Sequence, residues 1–376
     1  MGVNAPGLPP RVVEIETVDQ LDQHLARTSR LAGCFVQSLD LTGREAELLA
    51  TSPDGAVFLG CCFTEAAEEH LRHGGALLFP RLATVPFDPY RGRLYDPEQL
   101  YDQVLLGGAY GASTDAQIYA WTRRLAHPPS IAATLAMSLH DHAVGDALSD
   151  LLTQADPSQT VGVMGGHAAE RGSREYAAAA DLGLRLAASG RTLLTGGGPG
   201  AMEAANLGAF LVGCPQALPE ALALLAEAPT FKDPVGIDRW ASVALQVRQR
   251  HLEQAGTSIG IPTWFYGHEP PNVFATGVAK YFSNAIREDV LLARCRGGII
   301  YLPGRAGTVQ EVFQAATESY YAADDSLVAP MVLVGKDYWT ATLPAWPLLQ
   351  ALGTGRAMEA QIHLVDSVHE ALDVLA

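Results

Sequence analysis

GIIYLPGRAGTVQEVFQAATESY, residues 298–320, reads as a short apolar strand (Gly298–Leu302), a glycine-containing loop (Pro303–Thr308) and an amphipathic helix with apolar positions Val309, Val312, Phe313, Ala316 and Tyr320. A strand this short and this apolar is buried on both faces, as strands of parallel sheets are. The loop delivers the chain into a helix N-terminus, whose unpaired N–H groups and positive dipole end favour an anion. Outward from this stretch the same strand-then-helix pattern recurs, with strands expected at Thr160–Met164, Thr192–Thr195, Ser258–Ile261, Met331–Val334 and Ile362–Val365. Alternation of this kind predicts an α/β domain over 157–376 built on a doubly wound, Rossmann-like parallel sheet. Ligands of such sheets sit at the carboxyl ends of the strands, so the loops beginning at Gly165, Gly196, Tyr266 and Pro303 are expected to meet.

Upstream, residues 1–113 read as a smaller N-terminal α/β module, with helix-like runs at Val18–Ala26 and Glu65–His73 and apolar strands at Ala56–Phe63 and Ala76–Phe79. Pro80, Pro86 and Pro89 break that pattern. Residues 114–156 read as a helical connector, with Ile131, Leu135, Ser138 and Leu139, then Val144, Leu148 and Leu151, at helical spacing.

Composition narrows the function. With 25 Lys+Arg against 41 Asp+Glu the formal charge is -16, which disfavours a nucleic-acid polymer or an anionic membrane as the main partner. Cys34, Cys61, Cys62, Cys214 and Cys295 are odd in number and lack paired CxxC spacing, so neither a disulfide framework nor a zinc site is expected. There is no basic-then-apolar leader and no run of about 18 apolar residues, so the chain reads as cytoplasmic.

Gly196-Gly-Gly-Pro-Gly-Ala201 also joins an expected strand to a helix, containing Met202, Ala205 and Ala209. It matches G-x-G-x-x-A, but on the domain's second strand and without a ribose-binding acid some twenty residues later, so no dinucleotide cofactor is expected. The Gly-Lys-Ser/Thr ending of a Walker loop is absent. Each element also has a plainer reading: Thr308 and Glu311 fit an S/T-x-x-E capping box, and Arg287 fits a surface arginine paired with Glu288. Arg287 lies one residue off a stripe marked by Phe282, Ile286 and Val290. His140-Asp141-His142 has the wrong helical spacing for a metal and reads as helix surface or interface; His167 and His268 follow expected strand ends. No metal site is expected.

Read together, TGGGPGAMEAANLGA (195–209), NAIRE (284–288) and LPGRAGTVQE (302–311) resemble the LOG family of nucleotide 5'-monophosphate phosphoribohydrolases, long labelled lysine decarboxylase-like. The resemblance extends over about 158–376, including LVDSVHEAL at 364–372. It implies hydrolysis of the N-glycosidic bond of a nucleoside monophosphate to free base and ribose 5-phosphate, without a cofactor, in a homodimer or larger homo-oligomer. By motif position it implies Arg287 and Glu311 as the catalytic pair, with Gly304, Gly307 and Thr308 holding phosphate and Thr317 facing the ligand. Gly165, Gly197, Gly198, Met202, Arg305 and Ala306 complete the expected nucleotide-binding set. Two positions depart from the family pattern: its Pro-Gly-Gly-x-Gly-Thr is Pro303-Gly-Arg-Ala-Gly-Thr308 here, and its Arg-Lys is Arg287-Glu288. Arg305 is expected to bind phosphate directly, in part replacing the lost lysine. A decarboxylase would need a Schiff-base lysine, and Lys232, Lys280 and Lys336 lie in no recognisable cofactor loop. The alternative is a nucleotide-binding or sensing protein that keeps the fold without turnover.

Overall fold

The computed structural model describes residues 12–82, 84–153, 155–232, 234–265 and 269–375, which form two compact units. The first takes in residues 12–93 and 129–143. It alternates β1 (Val13–Ile15), α1 (Val18–Leu25), β2 (Cys34–Gln37), α2 (Glu45–Leu49), β3 (Val57–Leu59), α3 (Glu65–His73) and β4 (Leu77–Phe79), and the strands pair in parallel in the order β1-β2-β3-β4. Helix α1 begins on a reciprocal capping box between Thr17 and Gln20. Ile15, Leu21, Cys34, Val36, Phe58, Ala67 and Leu71 form the core of this unit. His140 is buried there, its ring edge-on to Phe87 at 5.2 Å, and burial pushes its pKa down; this corrects the reading of that cluster as helix surface.

The second unit begins with α4 (Pro97–Leu100), α5 (Asp102–Leu105) and α6 (Thr114–Arg124). Helix α7 (Ile131–Leu152) contributes its residues from Val144 onward. In its first half the expected stripe is shifted, with Ile131 and Leu135 exposed and Ala133 and Ala136 buried; in its second half Val144 and Leu148 are buried as expected and Leu151 is exposed. There follow β5 (Thr160–Met164), α8 (Arg174–Ala188), β6 (Thr192–Thr195), α9 (Ala201–Phe210), α10 (Leu218–Leu225), α11 (Pro234–His251), β7 (Ser258–Gly260) and β8 (Gly277–Val278). The chain closes with α12 (Asn284–Arg294), β9 (Ile299–Tyr301), α13 (Ala306–Tyr320), β10 (Met331–Val334), α14 (Ala345–Gly353), β11 (Ile362–Val365) and α15 (Val368–Leu375).

All seven strands of this unit pair in parallel, in the order β11-β10-β9-β5-β6-β7-β8. Strand β5 is buried along its whole length, as its apolar composition requires. From β5 the chain steps towards β6, and from β9 it steps the opposite way, towards β10. Right-handed crossovers therefore put α8 and α13 on opposite faces of the sheet, and a crevice opens between β5 and β9. The sheet is the expected doubly wound one with an added edge strand, β8.

By packing, residues 94–128 and those from 144 onward fall in the second unit, and residues 94–128 are tied to the large sheet by buried polar bonds. Asp115 on α6 accepts from Lys280 Nζ at 2.6 Å, Trp264 Nε1 at 2.9 Å and the Tyr110 hydroxyl at 2.5 Å. Glu98 on α4 accepts from Arg248 Nε on α11 at 2.7 Å. Among the described residues, no helix is long and apolar enough to cross a membrane.

Candidate active site

Three loops leave adjacent strands at the crevice and touch through glycine. A Cβ on Gly166, after β5, would lie 3.2 Å from the Gly304 Cα in the loop after β9. A Cβ on Gly304 would lie 2.1 Å from Thr308 Oγ1, and one on Gly200, after β6, would lie 2.6 Å from the Gly166 carbonyl oxygen. Gly200 also has a φ of 76°, which side chains rarely tolerate. The Gly166 N–H donates to the Pro303 carbonyl at 3.1 Å, and the Tyr338 hydroxyl donates to the Gly304 carbonyl at 2.6 Å. The loops expected to meet from Gly165, Gly196 and Pro303 do so; the fourth begins at Tyr266, outside the described residues, and from Glu269 onward it meets them too, the Asn272 N–H donating to the Gly197 carbonyl at 2.8 Å.

The loop after β6 is held from behind. Thr195 Oγ1 accepts from the Gly197 N–H at 3.0 Å and donates to Asn206 Oδ1 at 2.7 Å. Asn272 donates its backbone N–H to the Gly197 carbonyl at 2.8 Å and its side-chain amide to the Gly198 carbonyl at 3.2 Å and to Asn206 Oδ1 at 2.9 Å. The N-terminus of α9 is partly used internally: the Ala201 N–H donates to the Gly166 carbonyl at 3.2 Å, and Glu203 in its first turn is paired with Arg171. Helix α13 has no acid in its first turn, and its first intrahelical bond runs from Val309 N to the Arg305 carbonyl. The N–H groups of Ala306, Gly307 and Thr308 precede that bond, so α13 is the better anion terminus.

Arg305 is the N-cap of α13, which makes Thr308 the third helical residue and Glu311 the sixth. The expected capping box therefore does not form. Glu311 is buried and accepts instead from Arg287 Nη1 on α12 at 3.2 Å. Arg287, read as a surface arginine, is buried, and its Nη2 donates to Glu288 Oε1 at 2.8 Å. The stripe expected on α12 is displaced too: Ile286 is exposed, and the inward face carries Asn284, Arg287, Glu288 and Leu291. Burial pushes the Glu311 carboxyl up to about 7; Arg287 opposes that rise, while Glu288 and Glu269 add to it.

Above this charged floor lies a cleft of about 1280 Å³, roomy for a mononucleotide and larger than the roughly 300–1,000 Å³ of most ligand pockets. It is lined by Gly165, Gly198, Met202, Arg287, Gly304, Arg305, Ala306, Gly307, Thr308 and Glu311 from the expected set. Two expected residues lie elsewhere. Gly197 stands behind the loop, in the bonds just described, and Thr317 is exposed, its hydroxyl donating to the Phe313 carbonyl at 2.7 Å. Six residues after Glu311, Thr317 is turned roughly 120° around the helix from it, away from the crevice.

His167 and Glu269, neither assigned a role from the sequence, face each other on the cleft wall, with His167 Nδ1 3.0 Å from Glu269 Oε1. The bond to Glu269 holds the imidazole above its ordinary range. Asn272 and Tyr338 were also missed, because a lone loop residue and the first residue of a single helical turn carry no periodic signal. Asn206 carried one, as the polar residue in the apolar run AANLGAF.

Gly307 differs from the other loop glycines: a Cβ there would meet nothing within 4 Å. Gly307→Ala is expected to leave the melting temperature unchanged and to weaken monophosphate binding about tenfold, the scale of one displaced contact. Calorimetric titration beside a thermal melt checks this, and undiminished affinity would remove Gly307 from the anion site.

Two family models match the chain: the SLOG cluster4 family over residues 158–215, and a family described as "Possible lysine decarboxylase" over residues 245–376. Both segments lie in the large α/β unit, which therefore has a fold of the SLOG and lysine decarboxylase-like kind. No curated protein matches the chain. Among solved structures, the molybdenum cofactor binding protein from Rippkaea orientalis is 19% identical, with a TM-score of 0.36, over 57% of this chain and 94% of its own. The molybdenum cofactor carrier protein from Chlamydomonas reinhardtii is likewise 19% identical, with a TM-score of 0.35, over 57% of this chain and 96% of its own.

Proposed function

We propose that the protein hydrolyses the N-glycosidic bond of a nucleoside 5'-monophosphate, releasing free base and ribose 5-phosphate. The observation that carries this reading is the buried Glu311 carboxyl, hydrogen-bonded by Arg287 beneath the N-terminus of α13 and pushed up to about 7. Such a group is ionised over the upper half of the physiological range while its burial keeps water from screening it.

In this reading the 5'-phosphate binds the N–H groups of Gly307 and Thr308, with the exposed Arg305 guanidinium as a second, charge-assisted partner. The ribose then lies over Glu311. Departure of the base develops positive charge at the anomeric carbon, which the carboxylate stabilises while orienting the attacking water. Arg287 holds that carboxylate in place. In this reading, orientation of phosphate and ribose by these loops contributes to the rate.

The direct test incubates the purified protein with a panel of nucleoside monophosphates and separates the products by chromatography. Equimolar base and ribose 5-phosphate from at least one of them is expected, and release from none would end the hydrolase reading. A second reading, nucleotide binding without turnover, is favoured by one observation: Arg287 lies closer to Glu288, at 2.8 Å, than to Glu311, at 3.2 Å. Binding without release in the same panel would support it.

Arg305→Ala is expected to weaken monophosphate binding about thirtyfold, the scale of one charged hydrogen bond, and to leave binding of the unphosphorylated nucleoside unchanged. Equal losses for both ligands would show that Arg305 does not touch phosphate.

A further inference from the structure

Arg287 is held by two buried carboxylates, one on its own helix and one across the crevice, and only Glu311 lines the cleft. Asn284 completes the arrangement, accepting from Arg287 Nη2 at 3.4 Å and donating to Glu288 Oε1 at 3.4 Å. Glu288 has no exposed surface, and its Oε2 and the Arg287 Nε are buried without a hydrogen-bond partner among the described residues. One guanidinium cannot neutralise two ionised carboxylates here. The excess negative charge, poorly screened in this buried setting, is unfavourable, and retaining one proton relieves it. The lysine of the family pattern at position 288 would have removed the excess instead; this chain places a carboxylate there.

We propose that Glu288 is a positioning residue for the hydrolysis proposed above: it holds the Arg287 guanidinium so that Nη1 faces Glu311, and by sharing that guanidinium it keeps a proton on the carboxylate pair. The proposal rests on Glu311 being the catalytic carboxylate. The groups that face Glu311 are Arg287 and Glu288 from α12 and Glu269 from the cleft wall. Tyr301 on β9 donates its hydroxyl to the Glu311 backbone carbonyl at 3.4 Å. That phenol and the nearby Cys295 thiol are pushed up by burial and stay neutral, while Glu318, also on α13, is exposed. Glu288 is thus the carboxylate that competes directly with Glu311 for Arg287, and burial raises its pKa as well. Because the working form of Glu311 is ionised, activity should rise with pH through the acidity at which the pair gives up its proton.

The test compares the unaltered protein with Glu288→Gln, which keeps the oxygen that accepts from Arg287 and removes the charge. kcat/KM is measured against pH on a monophosphate the protein cleaves. In parallel, the Glu311 carboxyl is titrated by carbon NMR in glutamate-labelled protein. In Glu288→Gln the rising limb and the NMR midpoint are expected to move about one pH unit to the acid side, as loss of a nearby like charge requires, with the plateau kcat largely kept. Glu288→Asp keeps a carboxylate but shortens the arm that holds Arg287; there the plateau kcat should fall as Arg287 loses its anchor. An unmoved midpoint in Glu288→Gln overturns the proposal. If that variant does not fold, an undiminished plateau kcat in Glu288→Asp overturns it instead. A shifted NMR midpoint in a protein that cleaves no monophosphate sinks the hydrolase reading while supporting the coupling of Glu288 to Glu311.

Discussion

Glu311→Gln is expected to cut base release by about a thousandfold, within the range lost when a positioned acid–base group is removed. At pH 8 it is expected to leave the thermal midpoint at or above that of the unaltered protein. The two halves come from one cause. The folded protein holds the Glu311 proton up to about 7, against an ordinary value of 4.5, so between those values the native state binds more protons than the unfolded state. Whatever stability this carboxyl contributes is therefore complete below pH 4.5 and lost as pH rises to 7. Above that, the ionised group is a cost that glutamine does not incur. Initial rates on a cleaved monophosphate and a melt at pH 8 check both halves. A variant of full activity would show that Glu311 does no chemistry, and a severely destabilised one would make it a structural anchor.

The largest effect on stability is expected at Asp115, where Asp115→Ala should cost about 4 kcal/mol in urea unfolding, the scale of a buried ion pair broken from one side. Asp115 and Lys280 are both only 1% exposed, and the same carboxylate also accepts from Trp264 and Tyr110. The substitution strands an ammonium group and two further donors away from water. Lys280 already sits 5.0 Å from the centre of the Trp264 ring, and burial lowers its pKa, which Asp115 counteracts. A loss below about 1 kcal/mol, the value of an exposed pair, would mean that this cluster does not tie residues 94–128 to the sheet.

What could be read from the sequence followed from periodicity and chain breaks. Thr160–Met164, Thr192–Thr195, Met331–Val334 and Ile362–Val365 form strands over the expected residues, because each is an apolar run bounded by breakers. Strand β8 is two residues long, too short for any pattern, and β1 and β2 interleave Glu14 and Gln37 with their apolar positions. Helix α12 was read by the rule that apolar residues face inward, but its inward face carries Asn284, Arg287 and Glu288 while Ile286 is exposed. Local rules fail at sites where charge is brought inside for a purpose. The glycine loops were legible because their turns and close approaches require that residue; Glu269 and Asn272 were not, because only folding brings them to these loops.

The interlocked glycines have one more consequence. Gly166, Gly200 and Gly304 occupy the space one another's side chains would need, so the three loops fit together as a keyed assembly in which none shifts alone. A ligand meets a template that cannot reshape itself. Under the proposed function, discrimination among bases would then reside in exchangeable side chains on the walls, such as Met202, His167 and Glu269, and a lineage could alter what it accepts there without disturbing the glycine loops.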